Sequence, residues 1–173
     1  MTTSASQPID LKDLIGAMEM QMDGISTYFD RQTGRIEQIF SDDQCTLERE
    51  LDHPKQDGQA SSLTPETVEL IFPVNNNSSG RFVRLPTEWD IHEWEIMAAF
   101  ARSQKDKSIS DQLEDAIHGR GAFRHFKSTV ERLDLLKAWF AFKAEWMEDI
   151  ARDWCKDHDI PVKGDKPSAP KTN

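Results

Sequence analysis

The spacing of apolar residues changes along the chain, and this change predicts strands in the first half and helices in the second. Ile25 to Asp30 and Arg35 to Phe40 are rich in strand-forming residues, and Gly34 between them tolerates the positive φ of a tight turn. The two segments therefore predict a β-hairpin. The runs VELIFPV at 68–74 and RFVRLP at 81–86 predict two further strands, which would extend the hairpin into a small antiparallel meander.

Helical spacing of apolar residues marks one helix near the N-terminus and four in the second half. The first helix is expected to begin at Asp10, whose carboxylate can accept from the free N–H groups of the first turn. The predicted buried stripes of the later helices are Ile91, Trp94, Met97, Ala98 and Ala101, then Ile109, Leu113 and Ile117, then Phe123, Phe126 and Val130, and last Trp139, Phe142, Trp146, Ile150 and Trp154. The sequence thus predicts an α+β fold, with a small antiparallel β-meander packed against a C-terminal helical bundle of about four helices.

The domain organisation follows from the length and from three polar stretches. A chain of 173 residues is of the size of one domain, which we place at 10–160. Residues 1–9 are expected to form a flexible N-terminus, and 161–173, rich in Pro and Lys, a disordered tail. Residues 41–62 are polar and acidic without periodicity, which predicts an acidic loop.

The overall composition is typical of a globular protein outside the membrane. Hydrophobic residues make up 37% and charged residues 30%, and no apolar run approaches the length that spans a bilayer. The N-terminal MTTSASQPID lacks the basic and apolar regions of a signal peptide, which predicts a cytoplasmic protein. In that compartment Cys45 and Cys155 are expected to be thiols. The two cysteines lie 110 residues apart and neither is part of a repeated Cys or His motif, so no metal site and no cofactor are predicted.

The charge is unevenly distributed, and this picks out one segment. With a net charge of −10, the chain as a whole is repelled by nucleic acid and by anionic membranes. Residues 118–127, HGRGAFRHFK, nevertheless contain cations and no acid; we call this segment the basic corner. Its candidate binding residues, for an anion or for a partner, are Arg120, Arg124, His125 and Lys127.

A structural interpretation of the basic corner is compatible with the functional one. Gly119 can end one helix in the left-handed conformation, and Gly121 permits a tight corner before the next. Phe123 and Phe126 would then lock the corner into the core. The segment does not match a dinucleotide-binding loop, because Arg124 stands where that loop has its third glycine.

No catalytic signature is present elsewhere in the sequence. His92 follows Glu88 by four residues, yet no second histidine repeats one turn later, as a helical metal site requires. Neither His118 nor His125 has a Ser or Cys nucleophile beside it in sequence. We therefore predict no catalytic residue and do not favour an enzyme.

The chain resembles an uncharacterised bacterial family of small acidic α+β proteins. The resemblance rests on YFDRQTGRI, LEDAIHGRGAFRHFK and AWFAFKAEWMEDIARDWCKDHDI. His125 stands where many relatives are expected to carry Arg, which argues against a catalytic role for it. The resemblance implies one domain with a sheet followed by helices, and it implies no reaction.

Three functional hypotheses remain open from the sequence. The leading one is a non-catalytic cytoplasmic binding or regulatory module that acts through protein–protein contact, because catalytic chemistry is missing and acidic surface is abundant. The second is binding of a nucleic acid or a phosphorylated ligand through the basic corner. The third is a metal-dependent hydrolase that uses clustered acids. No membrane interaction is predicted.

Overall fold

The computed structural model of the protein describes residues 6–53 and 61–165. Its contacts divide the chain into two compact units, one formed by Met1–Thr87 with Trp154–Asn173 and the other by Glu88–Asp153. An antiparallel sheet near the N-terminus is followed by helices that pack together, so the predicted α+β class is confirmed. The prediction of a single domain over 10–160 stays a prediction.

The β-hairpin of the first unit has the bounds that the sequence predicts. β1 (Ile25–Asp30) pairs antiparallel with β2 (Arg35–Phe40), and Gly34 in the turn has a φ of 72°. β3 (Phe82–Arg84) pairs with the other edge of β1, which gives the strand order β2-β1-β3. The strand predicted at 81–86 is thereby confirmed in its central residues.

The first helix, α1 (Leu11–Glu19), begins where the sequence places it. A carboxylate oxygen of Asp10 accepts a hydrogen bond from the backbone N–H of Lys12 at 2.9 Å, which satisfies one of the free donors of the first turn. Leu14 and Met18 are fully buried on one face, as their spacing of four residues requires. The helix is therefore fixed at its start by the cap and along its length by this apolar face.

The acidic loop predicted at 41–62 is corrected by the structure. A second helix, α2 (Ser41–Asp52), occupies most of that stretch, and residues 54–60 lie outside the described residues. Only Leu47 is buried in α2, so the helix lacks the apolar periodicity that sequence patterns detect. Asp42 and Asp43 lie in its first turn, where the helix dipole stabilises carboxylates.

The strand predicted at 68–74 is wrong, because this segment belongs to a third helix, α3 (Pro65–Asn75). Thr64 caps it by accepting from the backbone N–H of Thr67 at 3.2 Å, and Pro65 takes the first helical position. A short apolar run is compatible with a strand or with a buried helix, and here the start signals decide for the helix. Ile71 of α3 packs in one buried cluster with Leu47 and with Ile39 of β2.

Residues near both ends of the described chain are paired with each other. Ile9 forms a parallel bridge with Val162, and its backbone N–H donates to the carbonyl of Pro161 at 2.9 Å. The Ile9 carbonyl accepts from Lys163 at 2.8 Å. The inner limits of the predicted flexible ends, 1–9 and 161–173, are corrected accordingly; residues 1–5 and 166–173 lie outside the described residues.

The second half of the chain is helical, as predicted. The helices are α4 (Glu88–Ile91), α5 (Glu93–Ser103), α6 (Lys107–Ala116), α7 (Ala122–Arg132) and α8 (Leu136–Asp157). The predicted helix whose stripe runs from Ile91 to Ala101 is interrupted at His92, which takes the left-handed conformation with a φ of 48°. Met97, Ala98 and Ala101 of the predicted stripe are buried, as expected, and Ile96 and Phe100 are buried with them.

Aromatic rings form the centre of the helical unit. Phe100 of α5 contacts Phe126 of α7 and Trp139 of α8, with ring centroids 6.2 and 5.3 Å apart. Phe126 and Trp139 lie closer still, at 4.9 Å, and all of these contacts are edge-to-face, which is the favoured geometry of aromatic pairs. The prediction that Trp139 is a core residue is confirmed.

The C-terminal part of α8 contributes a buried ring and a buried thiol to the first unit. Trp154 contacts Phe29 of β1 edge-to-face at 6.5 Å, and Cys155 beside it is buried. Cys45 on α2 is exposed. Within 6–53 and 61–165, no helix is long and apolar enough to cross a membrane.

Candidate functional site

The basic corner connects α6 to α7, and two glycines set its path. Gly119 and Gly121 have φ values of 81° and 83°, which side chains other than Gly rarely adopt. A Cβ at either position would meet no atom within 4 Å, so the backbone conformation and not the available space requires glycine. The predicted role of both residues in a tight helix–helix joint is confirmed.

The four predicted binding residues all lie on the surface. Arg120 stands between the two glycines, and Arg124, His125 and Lys127 lie in the first two turns of α7; each of the four is exposed. Within the described part of the chain, none of the three cations Arg120, Arg124 and Lys127 forms an ion pair. Their charges are therefore not neutralised by the acids of the neighbouring helices.

The two phenylalanines of the basic corner have different environments. Phe126 is buried in the aromatic centre, as predicted, whereas Phe123 is 54% exposed. The prediction that Phe123 locks the corner into the core is wrong. Phe126 and Val130 lie one turn apart on the buried face, whereas Phe123, in the first turn of the helix, is exposed.

An unpredicted aromatic residue lies beside the corner. Trp94 of α5 is 46% exposed, although its spacing predicted a buried position. Its indole N–H donates to the carbonyl of Ile117 at 3.1 Å, which holds the ring at the C-terminal end of α6, two residues before Gly119. Trp94 and Phe123 thus add exposed aromatic surface to a segment that carries cations and no acid.

The start of α7 also offers backbone donors. Gly121 is the N-cap and has no side chain to accept from the first-turn N–H groups, and no acid stands in that turn. On the other side of the corner, His118 Nδ1 lies 2.6 Å from the carbonyl of Glu114, so that nitrogen carries the proton and donates it. The arrangement suits the binding of a negatively charged group.

One ion pair outside the basic corner had no counterpart in the sequence predictions. Asp30, almost fully buried at the end of β1, accepts from Arg81 Nε at 2.7 Å and from Arg81 Nη2 at 2.6 Å. Burial raises the pKa of Asp30, but the hydrogen bonds from Arg81, from the Gln32 backbone and from Thr33 outweigh it and hold the pKa below its ordinary value. Because Asp30 ends β1 and Arg81 directly precedes β3, the pair links two neighbouring strands of the sheet.

No cluster of metal-binding side chains accompanies these features. In the described ranges, no group of three or more His, Cys, Asp and Glu side chains is placed to hold a metal ion. A shallow open depression in the first unit is lined by Asp10, Asp13, Arg35 and Glu37 among others. None of the predicted binding residues lines it.

These observations define a class of protein: a small acidic α+β protein with an exposed basic and aromatic helix corner. The chain is homologous to UPF0158 protein PA5073 of Pseudomonas aeruginosa, to which it is 26% identical over 153 residues, 88% of this chain and 84% of that protein. The resemblance to an uncharacterised bacterial family is thereby confirmed. No family model matches the chain, and no solved structure matches it.

Proposed function

We propose that the protein is a non-catalytic cytoplasmic binding module that contacts an acidic protein partner through the basic corner. The observation that carries the proposal is that Arg120, Arg124 and Lys127 are exposed and form no ion pair within the described residues. In a chain of net charge −10, three such cations without an adjacent acid form a local surface of opposite sign.

The exposed rings of Trp94 and Phe123 favour a protein as the partner. Trp and Arg are enriched among the residues that dominate protein–protein binding energy, because each combines a large contact area with a directional polar group. The rings supply apolar contact, and the cations require a partner surface of negative charge. A partner with carboxylates around an apolar centre fits this surface.

The test is the quantitative capture of partners from a lysate of the native cell by three forms of the protein. We expect the wild type to retain a protein partner that the variant Arg120→Ala/Arg124→Ala/Lys127→Ala loses. The matched control is Lys105→Ala/Lys137→Ala/Lys156→Ala, which removes the same charge at three other exposed positions. It should retain the partner.

Equal capture by all three forms, or equal loss from both variants, contradicts the proposal. Nuclease treatment of the lysate separates a protein partner from one recruited through nucleic acid. Thermal unfolding of the variants shows that any loss occurs in a folded protein, because exposed cations without ion pairs contribute little to stability.

Binding of a nucleic acid or phosphorylated ligand is the second candidate function, and the start of α7 favours it. Uncapped first-turn N–H groups beside cations are a common way to bind phosphate. Exposed aromatic rings can also stack on bases. The small number of cations and the acidic remainder of the chain argue for the protein partner instead.

Fluorescence anisotropy with labelled single-stranded RNA and DNA decides between the two candidates. If three phosphate contacts form, the logarithm of the affinity falls with the logarithm of the salt concentration with a slope of about −2. Raising the salt from 50 to 200 mM would then weaken binding roughly 15-fold. No binding at high protein concentration and low salt removes the nucleic-acid candidate.

A further inference from the structure

A second exposed apolar surface lies in the unit that contains the sheet. Met20 and Met22, in the segment between α1 and β1, are 74% and 67% exposed, and Phe40 at the end of β2 is 51% exposed. We call these three residues the methionine patch. Large apolar side chains are normally exposed singly, and a group of them marks an interaction site.

Backbone contacts bring Met22 and Phe40 of the patch close to each other, and Met20 lies two residues before Met22. The N–H of Ile25 donates to the carbonyl of Met22 at 3.1 Å, so the chain turns directly from Met22 into β1. Ile25 is the register partner of Phe40 across the hairpin, and the N–H of Ser41 donates to the carbonyl of Gly24 at 2.8 Å. The end of β2 is thus held against the turn that follows Met22.

The charged residues next to the methionine patch in sequence are acids. Residues 13–29 contain Asp13, Glu19 and Asp23 and no Lys, Arg or His, and residues 36–48 likewise contain only acids among their charged side chains. Glu19, Asp23 and Asp42, next to the patch residues in sequence, are exposed and form no ion pair within the described residues. The patch is an apolar surface with acidic neighbours.

We propose that the methionine patch binds an amphipathic helix of a partner protein that carries Lys or Arg beside its apolar stripe. Unbranched methionine side chains adapt to the side chains of such a helix. Recognition of an amphipathic helix by an apolar surface is a recurrent mode of peptide binding. A second copy of this chain is disfavoured as the occupant, because two chains of net charge −10 repel each other.

The test measures the binding of synthetic helical peptides to the full chain by fluorescence anisotropy. One peptide arranges Leu and Lys so that all Leu lie on one face, and the other has the same composition with the Leu residues scattered around the helix. We expect the first peptide to bind at least about tenfold more tightly. Equal affinity for both peptides overturns the proposal, because it indicates attraction by charge alone.

Variants locate the site of this binding. Met20→Ser/Met22→Ser should lower the affinity for the first peptide about tenfold, because it removes the apolar contact. Phe140→Ser, which changes a side chain that is 59% exposed in the other unit, should leave the affinity unchanged. Arg120→Ala/Arg124→Ala/Lys127→Ala should not weaken it, which separates this site from the basic corner.

Unchanged binding by Met20→Ser/Met22→Ser overturns the proposal. Sedimentation velocity tests the other occupant: self-association of the wild type that this variant abolishes would assign the patch to a second copy and would also overturn it. Because both substituted side chains are exposed, we expect the variant to unfold at the same temperature as the wild type.

Discussion

The basic corner and the methionine patch differ in charge and in the stiffness of their apolar side chains. At the corner, the Trp94 ring is held by a hydrogen bond to Ile117, and the backbone path is set by Gly119 and Gly121. At the patch, two flexible methionines provide most of the apolar surface. Rigid rings favour one partner, and adaptable methionines tolerate several, so we expect greater selectivity at the corner.

The largest expected loss of stability distinguishes the buried phenylalanine of the basic corner from the exposed one. Phe126→Ala removes a ring that contacts Phe100 and Trp139, so it should lower the free energy of unfolding by about 3–5 kcal/mol. Phe123→Ala removes an exposed ring and should cost less than about 0.5 kcal/mol. Urea unfolding of the two variants measures both values. Equal losses would mean that Phe123 belongs to the core.

We expect the ion pair of Asp30 with Arg81 to stabilise the unit that carries the methionine patch. Asp30→Asn keeps the size of the side chain but removes its charge, and should lower the free energy of unfolding by about 3 kcal/mol. The matched control is Asp23→Asn, at an exposed acid of the same unit, which should have little effect. Similar losses in both variants, measured by urea unfolding, would contradict a special role for the pair.

The difference in stability between the wild type and Asp30→Asn should depend on pH, because the pKa of Asp30 is lowered in the folded state. The stabilisation is complete above the ordinary value of about 4 and is lost as the pH falls through the folded pKa. The stability gap between the wild type and Asp30→Asn should therefore narrow below about pH 4. Thermal unfolding between pH 7 and the acid range measures it. A gap that widens in acid would contradict the assignment.

A smaller change in stability tests the backbone conformation of the basic corner, and its control substitution should change stability in the opposite direction. Gly121→Ala forces a Cβ into the left-handed conformation and should cost about 1–2 kcal/mol. Gly16→Ala, inside α1, should instead stabilise by about 0.5–1 kcal/mol, because Ala is the better helix former. Neither new Cβ meets an atom within 4 Å, so a steric clash does not separate the two. Chemical denaturation should show this difference in sign.

Local signals were sufficient to predict much of the fold. The hairpin follows from strand-forming residues on both sides of Gly34, and the corner from Gly119 and Gly121, because in each case the residues that fix the backbone are neighbours in sequence. The assignment of 68–74 to a strand failed because a short apolar run does not distinguish a strand from a helix.

The candidate site was predictable in its cations and not in its aromatic surface. Exposure of Arg120, Arg124 and Lys127 follows from their charge. Trp94 has the spacing of a buried residue, yet it is exposed in the first turn of α5, directly after the left-handed His92, and neither Gly nor Pro marks this helix start in the sequence. The methionine patch depends on contacts of β2 with the turn before β1 and with β1 itself, which no single segment of the sequence contains.

The rates at which the two thiols of the chain are modified can measure local opening of the structure. A thiol reagent should modify the exposed Cys45 rapidly in the native protein. Modification of the buried Cys155 should be slower, because it requires local unfolding of the C-terminal part of α8. The rate of the slow reaction then gives the free energy of that opening, and the fast reaction gives the rate of an accessible thiol for comparison. One chain thus contains both the probe and its reference.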